Sequence, residues 1–295
     1  MTDLVVAPWQ LDSARLSELL PKARTEYVNA SPWPHVVLHG LFPEELLEQA
    51  ALECRGASSD RLFRTRDRNQ LKEESSSELG PVSRLILAQI DSPAFRDFVS
   101  ALTAVNHLLA DPGHQWAGLH RTPPGGFTMI HRDFREHPLT GLHHRVNVLL
   151  YLNRQWPDSY GGGLELWPSN MRAPGRLIRP LANTLVIFET HDQTLHGVPE
   201  PVACPPGQAR LSLASYFFTV EARTPAVPIR RPVFARRPED SFLVGRRSFV
   251  SVIGDCVPAA LTPFARTMLW KARGLRGRTR GLSEVPEQPT PDSRR

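Results

Sequence analysis

The chain has 295 residues, of which 41% are hydrophobic and 22% charged, with a formal net charge of +5. It is long enough for one large domain or two smaller ones, and too rich in apolar residues to remain disordered. No run approaches the ~18 apolar residues of a membrane-spanning helix, and 28 prolines favour turns and β architecture over a helical bundle.

In chain order, Leu16, Leu19 and Leu20 recur at helical spacing over Ser13 to Leu20, with Asp12 or Ser13 as the cap and Pro21 as the end or a kink. His35 to Leu38 reads as a short strand. Pro43 to Cys54 is an amphipathic helix opened by a proline and acidic residues. Asp60 to Glu78 is polar and Ser-rich and reads as a loop, before helical patterns at Val82 to Ile90 and Pro93 to Val105. From Trp116 the pattern changes to short runs of β-branched, Leu and aromatic residues between Gly, Pro, Asn and Asp. These are Trp116 to His120, Phe127 to Asp133, Arg145 to Leu152, Leu164 to Trp167, Arg176 to Pro180, Thr184 to Phe188 and Arg210 to Thr219. Their density predicts a β-sandwich or barrel. A helix returns at Ala259 to Lys271, with Leu261, Phe264 and Met268 on one side.

Charge is uneven: after Val220 there are 15 Lys+Arg against 7 Asp+Glu, and before it 20 against 23. The C-terminal arginine doublets could meet an anionic surface. Without interleaved aromatics or a binding motif, a solvated basic tail is the simpler reading, so no nucleic-acid partner is expected. Cys54, Cys204 and Cys256 are odd in number and widely spaced, and they read as reduced thiols. Met1 to Asp12 has neither the positive charge nor the apolar run of a signal peptide. The expected location is cytoplasmic, with no membrane partner.

The chemistry gathers around Pro124 to Phe134. His131 and Asp133 lie two residues apart on a predicted strand, so imidazole and carboxylate share a face and can share one metal ion. A third ligand is His196, which follows a hydrophobic strand and precedes Gly197-Val198-Pro199. His191, in the turn Thr190-His191-Asp192, is the competing choice, and His196 is preferred. Two imidazoles and one carboxylate with open positions select non-haem Fe(II) for oxygen chemistry. Arg210, opening the last strand with Ser212 two residues on, can grip a distal carboxylate bidentately. His120, Arg145, Asn147 and Tyr151 lie on strands whose alternation could turn some of them inward. Arg145 and Asn147 share a face by spacing, whereas core packing is an equally good reading of Tyr151. Trp156, Trp167 and Phe217 read as core, and Glu165 as outward-facing. His137, His143 and His144 fall near Pro138 and Gly141 and read as loop residues, solvated or supporting.

From His120 to Thr219 the ordered motifs resemble the Fe(II)/2-oxoglutarate dioxygenases of the prolyl 4-hydroxylase-like group. Gly125-Gly126 followed by His131-x-Asp133 is similar to that family's glycine turn and proximal ligands. Gly162-Gly163-Leu-Glu-Leu-Trp167-Pro168 is similar to its GGxxxFP strand, and Tyr151-Leu152-Asn153 to its YLN ending. His196, Pro201-Val202, Gly207 and Arg210 match the distal ligand, the following turn and the basic co-substrate residue. Arg210 to Thr219 is similar to the strand of a bacterial subgroup.

The resemblance implies an α+β protein with a mainly β core. The core is a double-stranded β-helix, or jelly roll, over 111–222, with supporting helices in 1–110. A basic extension over 223–295 carries one helix and a disordered tail. It also implies an enzyme that uses Fe(II), 2-oxoglutarate and O2, with ascorbate as a possible reductant. His131, Asp133 and His196 would hold the metal, and Arg210, Ser212, Asn147, Arg145 and His120 would serve the co-substrate. Asp133 favours hydroxylation, because related halogenases lack that carboxylate.

Three departures stand out. Thr122 replaces a tyrosine that helps hold 2-oxoglutarate, the interval from His196 to Arg210 is about four residues longer than usual, and Asn147 replaces a common threonine. The substrate is left open among small-molecule, carrier-bound and peptidyl classes, and no oligomeric state is implied. The competing reading is a non-redox cupin-like metal protein, sugar-binding or an isomerase.

Overall fold

The computed structural model describes residues 9–58, 63–66, 69–111, 117–137, 139–221, 231–238 and 240. The helix expected at Ala259 to Lys271, the basic tail and Cys256 lie outside the described residues.

Four helices come first, with strands between them. Helix α1 (Ser13–Val28) is capped by the Asp12 carboxylate, which accepts from the Ala14 amide. It does not stop at Pro21 but runs through it. Ala23 and Tyr27 beyond the proline are buried, and that packing, with a hydrogen bond from the Tyr27 hydroxyl to Glu189 at 2.9 Å, compensates for the lost backbone bond. Strand β1 (His35–His39) follows, then α2 (Glu44–Gly56).

The stretch expected as a loop contains a hairpin, β2 (Phe63–Arg66) and β3 (Gln70–Ser75). Its polar composition concealed it because one of its buried positions is satisfied by charge instead of hydrocarbon. Glu73 is buried, accepts from Arg121 Nε at 2.6 Å and pairs with Arg64. Helices α3 (Pro81–Ile90) and α4 (Pro93–Thr103) then pack with α1 and α2 against the sheet.

The remaining strands are β4 (Leu109–Ala110), β5 (Gly118–Thr122), β6 (Phe127–Arg132), β7 (His143–Tyr151), β8 (Leu164–Trp167), β9 (Arg176–Ile178), β10 (Thr184–Glu189), β11 (Leu195–Val198), β12 (Arg210–Thr219) and β13 (Val233–Phe234). All pair antiparallel, in the order β1-β10-β7-β12-β5-β3-β6-β11-β8-β9, with β2, β4 and β13 beside this path. This is the curled, jelly-roll arrangement of a double-stranded β-helix, with β3 joining its larger and smaller halves.

Alternation along β12 separates two environments. Leu211, Leu213 and Phe217 join the helices in the main hydrophobic core. Arg210, Ser212, Ala214, Tyr216 and Phe218 occupy the opposite face, where Ala214, Tyr216 and Phe218 pack with Phe134. Polar groups on this inner face are thus enclosed between the two halves.

Candidate metal centre

His131 is the second-last residue of β6, and β11 runs antiparallel to it with His196 directly opposite. Gly197 makes that closeness possible, since a Cβ there would stand 2.8 Å from the Thr128 and Met129 carbonyl oxygens. Asp133 lies just past the end of β6. Its Oδ1 is 3.3 Å from His131 Nε2, its Oδ2 is 3.6 Å from His196 Nε2, and the two rings are 4.5 Å apart between centroids. One ligand atom from each residue falls within 4.8 Å of the others.

The hydrogen bonds on the far side of each ring define its role. His131 Nδ1 faces the Met129 carbonyl at 3.0 Å, and His196 Nδ1 faces the Thr194 carbonyl at 3.3 Å. A carbonyl can only accept, so each ring carries its proton on Nδ1 and turns an Nε2 lone pair toward Asp133. Burial holds the His196 imidazole in its neutral form, with its pKa lowered to about 4. Burial alone would raise Asp133, but the positive charge that His196 and His131 carry when protonated outweighs it, so the carboxylate stays ionised far below its usual range. Two lone pairs and an anion converging in a buried space repel one another unless a cation lies between them. The donor set therefore fits Fe(II).

Acidification has a defined sign here. The folded-state pKa of His196 lies below the ordinary value of 6.5, so the unfolded chain takes up the proton first. Above 6.5 the group contributes nothing, and the penalty grows as pH falls to about 4 and then levels off, on the order of 3 kcal/mol. Urea unfolding of the metal-free protein should show stability falling across this window, with a shallower fall in His196→Gln.

A second polar cluster is built on β12. Arg210 and Ser212 are buried on its inner face, with Ser212 registered against His120 on β5 and Tyr151 on β7. Arg210 Nε donates to the Gly162 carbonyl at 2.6 Å, Nη2 donates to the Tyr151 hydroxyl at 3.1 Å, and the guanidinium stands 4.8 Å from the Tyr151 ring centre. Gly162 has φ of +74°, and a Cβ there would meet Arg210 Cδ at 3.2 Å, so both backbone and space require glycine. Among the described residues, no carboxylate lies within ion-pair distance of Arg210. Tyr151 was the residue sequence reasoning undervalued. Its spacing of four from Asn147 places both on one face, and that signal was available. Burial raises its pKa, so the hydroxyl keeps its proton and can donate it to an anion placed beside Arg210.

Asn147 donates from Nδ2 to Asp133 Oδ2 at 2.6 Å. His120 is half-buried on β5, with Nε2 3.5 Å from Glu74. Arg145 departs from the sequence expectation. Phe217 pairs with Val146 but Phe218 pairs with His144, so Arg145 is the extra residue of a β-bulge and does not share the inward face of Asn147. It points to the barrel mouth, 2.6 Å from Glu221 Oε1. The bulge turns His144 inward instead. His143 and His144 open β7 and are not loop residues, and His144 is buried beside Asp133 and Asn147.

The sequence over residues 117–218 matches the profile of the 2OG-Fe(II) oxygenase superfamily. That stretch contains both histidines, Asp133, Tyr151 and Arg210. Residues 117–218 form a 2OG-Fe(II) oxygenase domain. The crystal structure of a Pseudomonas putida prolyl-4-hydroxylase is similar in fold, with a TM-score of 0.52 at 21% identity, covering 68% of this chain and 100% of that one. A prolyl 4-hydroxylase from Phytophthora capsici gives 0.51 at 17% identity, covering 76% and 71%. No curated protein matches the chain in sequence. The oxygenase domain identifies an oxidoreductase of the dioxygenase type, whose superfamily uses Fe(II), 2-oxoglutarate and O2.

Within the oxygenase domain, Asn147 holds Asp133 by a short hydrogen bond, and removing such a support typically weakens metal binding about 10–100-fold. Asn147→Ala is expected to lose Fe(II) affinity in that range by anaerobic competition with a chelator.

Proposed function

We propose that the chain hydroxylates an unactivated C–H bond of its substrate, coupled to decarboxylation of 2-oxoglutarate to succinate and CO2. One oxygen atom of O2 enters the substrate and the other enters succinate. The observation that carries this reading is the convergence of His131, Asp133 and His196 on one buried point, in the same inner space as Arg210. Bound Fe(II) would supply oxygen activation.

The chain's own residues have separable tasks. His131 and His196 present neutral Nε2 donors, fixed by the carbonyls behind them. Asp133 supplies the negative charge, oriented by Asn147. Arg210 and the Tyr151 hydroxyl bind the distal carboxylate of 2-oxoglutarate, with Ser212 on the same face. The co-substrate thus points its other end at the metal ligands. Phe188, whose ring is 4.8 Å from that of His196, and the buried inner strands keep water out. Retention of Asp133 supports hydroxylation over halogenation, since the third protein ligand is kept. Against a non-redox cupin-like protein stands a buried guanidinium that requires an anionic partner. The substrate falls in the small-molecule, carrier-bound or peptidyl classes. Free, buried Cys54 and Cys204 support a cytoplasmic location as part of this proposal.

Anaerobic titration of the metal-free chain with Fe(II) tests the metal half of the reading. One ion per chain is expected, lost in His131→Ala; no binding by the wild-type chain would contradict it.

A further inference from the structure

Strand β13 (Val233–Phe234) lies past residue 218, where the match to the oxygenase profile ends, yet it is built into the sheet that carries the metal ligands. On one edge, β6 pairs with β11 at both Thr128 and His131. On its other edge it pairs with β3, but only through Phe127 and Thr128. Strand β13 takes over that edge where β3 leaves it, with Val233 opposite Arg132 and Phe234 opposite His131. The Ala235 amide then donates to the Ile130 carbonyl at 2.8 Å. His131 thus has a paired strand on each side.

Alternation sorts the side chains of this segment. Residues directly opposite in an antiparallel pair project to the same face, so Phe234 goes with His131 and Ala235 goes to the face behind. The contacts agree. The Phe234 ring stands 5.5 Å from the His131 ring, which is itself 4.5 Å from the His196 ring, so the His131 imidazole has an aromatic neighbour on either hand. Ala235 packs behind the ligands, against Ile130, Trp167 and Leu195. Two residues on, Arg237 is buried and ties the segment to the exit of β11. Its Nη1 is 2.7 Å from Glu200, two residues past the end of that strand, and its Nη2 and backbone amide each hold Asp240 at 2.8 Å. The segment therefore grips both strands that carry the ligand histidines.

We propose that this C-terminal segment is a working part of the metal centre, with Phe234 as the positioning residue that keeps His131 on the metal. The inference rests on the reading of His131, Asp133 and His196 as the ligands of Fe(II). A ligand imidazole leaves its ion by swinging about its side-chain torsions. The Met129 carbonyl holds the Nδ1 end of the His131 ring, and the Phe234 ring packs against the imidazole from the neighbouring strand, which restricts that swing. Arg237 and Ala235 hold Phe234 in place from the far side of the segment.

Release of Fe(II) from the full chain tests this without any substrate. Protein loaded anaerobically with one equivalent of Fe(II) is mixed with an excess of a chromogenic ferrous chelator, and the transfer is followed by absorbance. Phe234→Ala should release Fe(II) about tenfold or more faster than the wild-type chain, the scale on which lost ligand support weakens metal sites. Phe234→Tyr keeps the ring and should restore the slow rate. Arg237→Gln, which loosens the segment without touching His131, should also speed release. Ile90→Val, in the helical layer of the main core, controls for general destabilisation and should leave release unchanged. Release from Phe234→Ala at the wild-type rate, or equal acceleration by Ile90→Val, overturns the proposal. A wild-type chain that takes up no Fe(II) strikes the metal-centre reading instead, and this inference with it.

Discussion

Replacing His196 with alanine is expected to reduce 2-oxoglutarate decarboxylation to background, whereas His191→Ala retains it. The two residues are five apart and both follow β10, yet their positions are unlike. His196 is buried in β11 opposite His131, with Nε2 3.6 Å from Asp133. His191 sits in a turn, where its Nδ1 accepts from the Gln193 amide at 3.2 Å and its backbone closes on Thr194. Losing one of three protein ligands leaves too few donors to hold Fe(II) against water, so the effect of His196→Ala is on occupancy of the whole site. Succinate release measured on both variants distinguishes them, and the reverse pattern would overturn the ligand assignment.

Arg210→Ala is expected to raise the 2-oxoglutarate concentration needed for half-maximal succinate formation by about 30-fold to a few thousand-fold. That range is the ~2–5 kcal/mol usually lost when one partner of a buried, hydrogen-bonded charge pair is removed. Arg210→Lys should recover only part, because an ammonium cannot keep the bonds to Gly162 and Tyr151 while also presenting two parallel donors. Tyr151→Phe removes one hydrogen bond to the carboxylate, about 1.5–3 kcal/mol, and should shift the same curve by about 10- to 150-fold. An unchanged curve in Arg210→Ala would show that the distal carboxylate is held elsewhere.

How legible these features were depends on how local their causes are. The last strand, Arg210 to Thr219, matches β12 at both ends because alternation between two buried faces leaves an uninterrupted run of small, apolar and aromatic residues. His131 and Asp133 come together because the two-residue period of β6 is carried one residue past its end at Arg132. Their meeting with His196 depends on β11 lying beside β6, which only the ordered motifs of the family resemblance anticipated. Three features were misread where distant packing decides the outcome. Helix α1 passes Pro21 because Tyr27 is anchored on Glu189, far along the chain. The β2–β3 hairpin is a strand pair whose buried Glu73 is neutralised by Arg64 and Arg121. The bulge at Arg145 shifts the alternation by one residue, exchanging an expected arginine for His144 beside Asp133. No local sequence signal marks that bulge, because it arises from the register between β7 and β12.

We propose that 2-oxoglutarate binds to Fe(II) held by His131, Asp133 and His196, with Arg210 at its far end. The most direct test is an anaerobic titration of the Fe(II)-loaded protein with 2-oxoglutarate, followed by visible absorption. A weak metal-to-ligand charge-transfer band should grow to saturation at one equivalent per iron, and require far more 2-oxoglutarate in Arg210→Ala. A protein that binds Fe(II) but develops no such band would contradict this mode of 2-oxoglutarate binding.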